Sequence, residues 1–112
     1  MKLDDLVFIG VHSTVLALHK LTGKEVWRCK LKGGIATGDY FVTLLVEGKL
    51  LYAHSRGVLF CLDAATGRCL WENKLSGLGY GFASIAVQGI SASPEKVARL
   101  TQIDEIRHST GD

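Results

Sequence analysis

The stretch LHKLTGKEVWRCKL, residues 18–31, returns 44 positions later as LDAATGRCLWENKL, residues 62–75. Each copy holds a Thr-Gly pair and a tryptophan four residues after the glycine, at Thr22, Gly23 and Trp27 and again at Thr66, Gly67 and Trp71. Glycine adopts a positive φ at a hairpin end without steric cost, and a threonine hydroxyl can bond to the nearby backbone. The repeat therefore predicts two structural units of one kind, each with a turn at its Thr-Gly pair.

The segments around these turns are typical of short β-strands. Runs rich in Val, Leu, Ile, Phe and Tyr are separated by glycine-containing turns. The second unit predicts four strands, FVTLLVE, KLLYAHS, VLFCLD and RCLWENK, and the first predicts three, LVFIGV, VLALH and EVWRCK. A period near 44 residues with strand-like content is the span of one four-stranded propeller blade. The sequence therefore predicts an all-β fold with two propeller blades in each chain.

The first unit lacks its innermost strand, because the chain begins where that strand would lie. The segment FASIAVQG, from Phe82, aligns with FVTLLVEG, from Phe41, and predicts one further strand. We expect this strand to complete the first blade of another copy, so that strand exchange joins the subunits. Propellers have about four to eight blades, so two blades require homo-oligomerisation to close a ring.

The charge pattern argues against nucleic-acid binding and the hydropathy pattern against a membrane span. Thirteen basic and eleven acidic residues are scattered along the chain, for a net charge of +2, and form no basic stripe. No segment approaches the roughly 18 to 20 apolar residues that a transmembrane helix needs. The N-terminal apolar run follows acidic residues and has no cleavage site of a signal peptide. We therefore expect a cytoplasmic protein.

The metal-binding and thiol residues show no recognisable site spacing. The three cysteines include no CxxC pair, and the four histidines are each solitary, so no metal site is predicted. Cys61 and Cys69 flank a predicted hairpin turn and could face each other across it. Buried thiols are the favoured interpretation for a reducing compartment, with a cross-strand disulfide as the alternative.

The pattern Ala-x-Asp-x-x-Thr-Gly-x-x-x-Trp resembles the tryptophan-docking repeat of the propellers related to pyrroloquinoline-quinone (PQQ) enzymes, the quinoprotein alcohol dehydrogenase-like superfamily. The matching positions are Ala17, His19, Thr22, Gly23, Lys24 and Trp27 in the first unit and Cys61, Asp63, Thr66, Gly67, Arg68 and Trp71 in the second. The first unit departs from the pattern at His19, in the Asp place, and the second at Cys61, in the Ala place.

The resemblance implies that each tryptophan packs between adjacent blades and donates its N–H to backbone. An indole suits this role because it buries a large area and needs one partner for its N–H. Full-length propellers of the family usually have about eight blades, which favours a cyclic homotetramer. A trimer with about six blades is the next candidate.

The sequence does not show the catalytic features of the family's dehydrogenases. Those enzymes use a calcium-assisted quinone, a catalytic aspartate, ligands on long loops and often a disulfide between adjacent cysteines. The sequence has short connections and no adjacent cysteines, and a shared fold alone is a weak basis for function. We therefore predict no catalytic residues and no cofactor, with PQQ as a disfavoured alternative.

The best candidate ligand site lies where cyclic symmetry would repeat polar side chains around an axis. Asp39, Tyr40 and Glu47 border the predicted inner strand of the second blade, and Tyr80 lies in a glycine-rich crossing on one propeller face. Loops on such a face are a frequent place for binding residues. Turns and solvated loop ends are the alternative interpretation of these four residues.

After residue 92 the sequence pattern changes from one typical of β-strands to one typical of a helix. Ser93 as N-cap, Pro94 in the first helical position and Glu95 in the first turn predict a short C-terminal helix. We therefore divide the chain into residues 1–92, with strands grouped three, four and one, and residues 93–112, a helix and tail. We expect the predicted helix to cover an apolar patch of its own ring or of a neighbour, with docking to a separate partner as the alternative.

The leading functional hypothesis is a non-enzymatic, self-assembling propeller that acts as a binding or scaffold module. The alternative is a small-ligand-binding or enzymatic ring with a symmetric site on the central axis. A third hypothesis is that the chain is a piece of a longer propeller. The chain itself is the predicted partner, and any protein or small-molecule partner is not specified by the sequence.

Overall fold

A computed structural model describes residues 2–32, 41–79, 81–88 and 90–92, and this part of the chain is all-β with one short 3-10 helix at Leu3–Asp5. Sheet I contains β1 (Leu6–Val11), β2 (Thr14–His19) and β3 (Glu25–Lys30). Sheet II contains β4 (Thr43–Glu47), β5 (Leu50–Ser55), β6 (Val58–Asp63) and β7 (Cys69–Asn73). A separate hairpin contains β8 (Ile85–Val87) and β9 (Ile90–Ala92). Neighbouring strands are consecutive and antiparallel throughout these residues, and the predicted all-β class is confirmed.

The two sheets use the same two-residue turn at equivalent places. His12 and Ser13 join β1 to β2 with φ values of 50° and 56°, and Arg56 and Gly57 join β5 to β6 with 53° and 76°. A turn with positive φ at both central residues matches the right-handed twist of paired strands. The repeat therefore preserves backbone geometry even where its side chains differ.

The Thr-Gly turns join β2 to β3 and β6 to β7. Gly23 and Gly67 have φ values of 74° and 78°, which glycine adopts without strain. The Gly23 N–H donates to the His19 carbonyl at 2.8 Å, and the Gly67 N–H donates to the Asp63 carbonyl at 2.7 Å. A register shift follows Ala17 in sheet I and Cys61 in sheet II, the equivalent position. The two turns thus share this hydrogen bond and the same bulge.

The hydrophobic core lies between the two sheets. Its buried members are Leu6, Val15, Ala17, Trp27 and Leu31 from the first unit and Val42, Leu51, Ala53, Val58, Phe60, Leu62 and Ala64 from the second. Full burial of one large apolar side chain contributes about 1.5 to 3 kcal/mol. Gly10 lies at one close approach of the two units, because a Cβ there would lie 2.7 Å from the Cβ of Val42.

The β8–β9 hairpin differs from the single strand that the sequence predicted after β7. Val87 and Ile90 are register partners, so the chain turns back after β8 and forms a second strand. The glycine that follows Gln88 in the sequence is a hairpin signal. Both strands of the hairpin contact β4, and the ring of Phe82 meets that of Phe41 edge-on at 5.5 Å.

The predicted C-terminal helix, residues 93–112, lies outside the described residues. Within the described residues, no helix has the length and apolar character that crossing a membrane requires. Strand exchange and ring closure remain predictions.

Candidate functional site

The contact between the two sheets is built on Trp27. Its indole Nε1–H donates a hydrogen bond to the carbonyl oxygen of Ala64, 3.0 Å away, in the turn after β6. The ring lies over Gly67, where a Cβ would come within 2.5 Å of Trp27 Cδ2. Phe8 supports the other part of the ring at a centroid distance of 5.9 Å. The tryptophan of one repeat therefore packs on the Thr-Gly turn of the next.

The turn that receives Trp27 is held in shape by its own polar groups. Asp63 Oδ1 accepts a hydrogen bond from the Ala65 N–H at 2.8 Å. Thr66 Oγ1 accepts one from the Arg68 N–H at 3.2 Å. The Ala64 N–H donates to the Lys49 carbonyl at 3.0 Å, which ties the turn to the start of β5. These bonds hold the backbone that carries the Ala64 carbonyl, the acceptor of the indole N–H.

The turn of the first repeat has the same set of bonds. The Leu21 N–H donates to His19 Nδ1 at 3.2 Å, and the Lys24 N–H donates to Thr22 Oγ1 at 3.2 Å. The Lys20 N–H donates to the Asp5 carbonyl at 2.8 Å, as Ala64 does to its equivalent. His19 stands where the repeat pattern has aspartate, and its unprotonated Nδ1 takes the acceptor role of that carboxylate.

Trp71 has the same surroundings as Trp27 within its own sheet but no turn of the described residues beneath it. It is the register partner of Cys61, as Trp27 is of Ala17, and it lies 6.3 Å from the ring of Tyr52. Its side chain is 46% exposed, whereas that of Trp27 is 8% exposed. The outer face of sheet II therefore presents an indole that the described residues leave uncovered.

The turn of the first repeat, at Gly23, has no tryptophan of the described residues packed on it. A Cβ placed on Gly23 has no neighbouring atom within 4 Å among the described residues, whereas one on Gly67 would meet an indole. The strand face beside this turn is also uncovered: Val7 is 41% exposed, while its equivalent in sheet II, Leu51, is fully buried. The described part of the chain thus has one occupied turn and one vacant turn of the same construction.

Arg56 makes a second link between the sheets that the sequence did not indicate. Its Nη2 donates to the carbonyl oxygen of Leu31 at 2.8 Å. The Leu31 side chain is fully buried, and its N–H donates to the Ser13 carbonyl at 2.9 Å. An arginine in a hairpin turn carries no signal for such a contact, because its acceptor is a backbone carbonyl. The Ala64 carbonyl was missed for the same reason.

The residues predicted for an axial or loop ligand site are mostly outside the described part of the chain. Asp39, Tyr40 and Tyr80 fall there. Glu47 lies at the end of β4 with an exposed side chain, opposite Leu50 in register. The structure therefore shows the position of one member of the group and leaves the ligand-site hypothesis a prediction.

The three cysteines are free thiols. Cys61 is buried and Cys69 is exposed, on adjacent strands. Burial raises the pKa of the Cys61 thiol, which disfavours the reactive thiolate. Among the residues that the structure describes, no group of three or more His, Cys, Asp or Glu could hold a metal ion.

Comparison with known proteins agrees with this repeat geometry. A family model described as outer membrane protein assembly factor BamB, a PQQ-like repeat, matches residues 11–100. The match covers both Thr-Gly turns, both tryptophans and the whole of sheet II. A search of curated proteins returned no match. With most of its length matched by this family model, the chain belongs to the PQQ-like repeat family.

Proposed function

We propose that the chain is a non-enzymatic, self-assembling propeller module that serves as a binding or scaffold component. The observation that carries this proposal is the packing of Trp27 on the turn of the following repeat. Each repeat presents a tryptophan on one side and a turn on the other, so the unit is suited to joining further units. The proposed role is therefore to build a larger surface from small blades.

The chemistry of the contact supports a packing role. Its groups are an indole, a glycine Cα and a backbone carbonyl, with a carboxylate and a hydroxyl occupied in holding the turn. The indole buries a large area and satisfies its N–H, while the carboxylate of Asp63 and the hydroxyl of Thr66 each accept a hydrogen bond from the backbone of the turn. The description of the matching family also names an assembly factor. No cofactor is part of the proposal, and a cytoplasmic location stays a prediction.

The topology supports ring closure between copies. Sheet I has three strands where sheet II has four, and β1 pairs with β2 alone among the described strands. An unpaired strand edge is a site for pairing with another chain, and closure removes it. We propose that β8 fills this edge in a neighbouring copy and that the ring is a cyclic homotetramer, with a trimer as the next candidate.

Native mass spectrometry of the purified chain, with sedimentation velocity over a wide concentration range, tests the proposal. We expect one discrete closed oligomer that dissociates on dilution without intermediate sizes of comparable abundance. The Gly48→Ala variant, altered at a hairpin turn of sheet II where a Cβ would meet no neighbouring atom, is the control and should assemble normally. A chain that stays monomeric at every concentration contradicts the self-assembling function.

A further inference from the structure

We infer that Trp71 of one copy docks on the Gly23 turn of a second copy and donates its indole N–H to the Lys20 carbonyl there. This contact would repeat between chains the one that Trp27 makes with Gly67 and Ala64 inside the chain. The inference rests on the proposed self-assembly. It adds the surface that each copy presents, the head-to-tail direction of the contact, and the donor and acceptor atoms of the hydrogen bond between the copies.

Trp71 is built to make this contact. It follows its glycine by four residues, lies opposite the residue that precedes the bulge, and has an aromatic neighbour on the adjacent strand, as Trp27 does. That neighbour is Tyr52, the equivalent of Phe8. Nearly half of the Trp71 side chain is exposed to solvent, so its indole is accessible to a partner. Aromatic side chains of this kind are typical anchors of protein interfaces.

The Gly23 turn is a preformed receptor. Three hydrogen bonds of this turn, donated by the N–H groups of Leu21, Gly23 and Lys24 at 2.8 to 3.2 Å, have counterparts in the Gly67 turn at 2.7 to 3.2 Å. Lys20 is the equivalent of Ala64, and its N–H is anchored to the Asp5 carbonyl as that of Ala64 is to Lys49. The described residues leave the space over Gly23 open. A second indole can therefore approach without any rearrangement of the turn.

The flanking strand faces are complementary as well. Val7 and Ile9 of β1 are 41% and 37% exposed, whereas their equivalents Leu51 and Ala53 are fully buried against sheet I. The first repeat thus exposes the apolar face that the second repeat buries. Both halves of the interface, the indole on sheet II and the turn with its apolar face on sheet I, are present on every copy.

A second copy of this chain is the occupant that these observations favour. The two surfaces belong to different sheets of one chain and differ from each other, so they join head to tail in a heterologous contact. Such contacts generate rings when the rotation between subunits closes. The contact between copies would then have the same geometry as the contact within the chain. Sheet II of one copy would be followed by sheet I of the next copy through the rotation that already relates sheet I to sheet II.

Hydrogen exchange of the two indole N–H groups, followed by NMR at low and high protein concentration, tests the inference. Trp27 Nε1–H should exchange slowly at both concentrations, because its bond lies within the chain. Trp71 Nε1–H should exchange fast in the dilute sample and slowly in the concentrated one. Fast exchange of Trp71 in the assembled state overturns the inference.

Three variants measured by sedimentation give the second arm. Trp71→Ala and Gly23→Ala should each weaken association by about 30-fold or more, as expected for the loss of an anchor that contributes about 2 kcal/mol. Gly48→Ala is the control, because Gly48 also has positive φ (58°) and open space where a Cβ would lie. It should leave association unchanged. Circular dichroism of each variant in the dilute state confirms that the single chain stays folded.

The outcomes separate the inference from the proposed function. If the unmodified chain assembles and both docking variants assemble equally well, self-assembly stands and the Trp71 contact is wrong. If the unmodified chain is monomeric throughout, both are wrong. If Trp71→Ala and Gly23→Ala lose assembly while Gly48→Ala keeps it, the Trp71 contact is supported.

Discussion

The indole N–H of Trp27 donates to the carbonyl oxygen of Ala64 at 3.0 Å, and this bond joins residues of two sheets that are 37 positions apart in the sequence. The acceptor belongs to a turn whose backbone is held by further hydrogen bonds, among them those donated by the Ala65, Gly67 and Arg68 N–H groups. A single side chain thereby links the outer strand of one repeat to the turn of the next, and the stability of the chain should depend on it.

We expect Trp27→Ala to lower the free energy of unfolding by about 3 to 5 kcal/mol, the usual cost of deleting a large buried aromatic. Trp27→Phe should lower the free energy of unfolding less than Trp27→Ala does, because it retains a buried aromatic ring. The remaining cost comes from the Ala64 carbonyl, which loses its donor. Urea unfolding at a concentration where the chain is monomeric measures both. Trp71→Ala under the same conditions is the control, and a loss as large as that of Trp27→Ala would contradict the assigned burial.

Gly67→Ala should destabilise the single chain more than Gly23→Ala. Both glycines have similar positive φ, so both variants carry the strain of about 1 to 2 kcal/mol for a left-handed residue. Only the Cβ at position 67 would also collide with the Trp27 ring. The difference between the two unfolding free energies in dilute solution isolates this collision. Equal losses would show that the ring does not lie over Gly67.

His19 can be exchanged for the aspartate of the repeat pattern. Because Asp63 Oδ1 makes the equivalent bond at 2.8 Å, His19→Asp should keep the acceptor for the Leu21 N–H and leave stability nearly unchanged. His19→Ala removes the acceptor and should cost about 0.5 to 1.5 kcal/mol. Thermal unfolding of the three chains measures this order. A loss in His19→Asp as large as that in His19→Ala would contradict the acceptor role.

His54 should make stability depend on pH. Burial lowers the pKa of its imidazole below the ordinary value of 6.5, so the folded chain resists protonation. Above that value the imidazole is neutral in both states, and stability is unaffected by it. As the pH falls below 6.5, the unfolded chain binds a proton that the folded chain does not, and the free energy of unfolding decreases until the lower folded pKa is passed.

Unfolding free energies measured from about pH 7.5 to about pH 5 should therefore fall less steeply in His54→Gln than in the unmodified chain. Leu78→Gln, at an exposed position, provides the control, because it introduces a glutamine without removing a titratable group and should leave the slope nearly unchanged. Parallel pH profiles for the unmodified chain and His54→Gln would contradict the prediction.

The sequence predicted the parts of the fold that are encoded locally. Alternating apolar runs and glycine turns indicated all seven strands of the two sheets, and the repeated Thr-Gly pair indicated equivalent turns. It could not distinguish Trp27 from Trp71, because their local sequences agree and their burial depends on what lies against each sheet. The acceptor at Ala64 and the Arg56 link to Leu31 involve backbone carbonyls, which every residue has. The return of the chain at Ile90 was missed because a three-residue strand is too short for a periodic pattern.

The β8–β9 hairpin has a consequence for the number of strands in the joined sheet. In the single chain, β8 is paired with β9 through three register positions, so one of its edges is occupied and the other pairs with no described strand. If β8 pairs with β1 of a neighbour through that second edge, β9 stays in place and enters the same sheet. The sheet formed across the interface would then have five strands, and a ring of such chains would alternate four-stranded and five-stranded sheets.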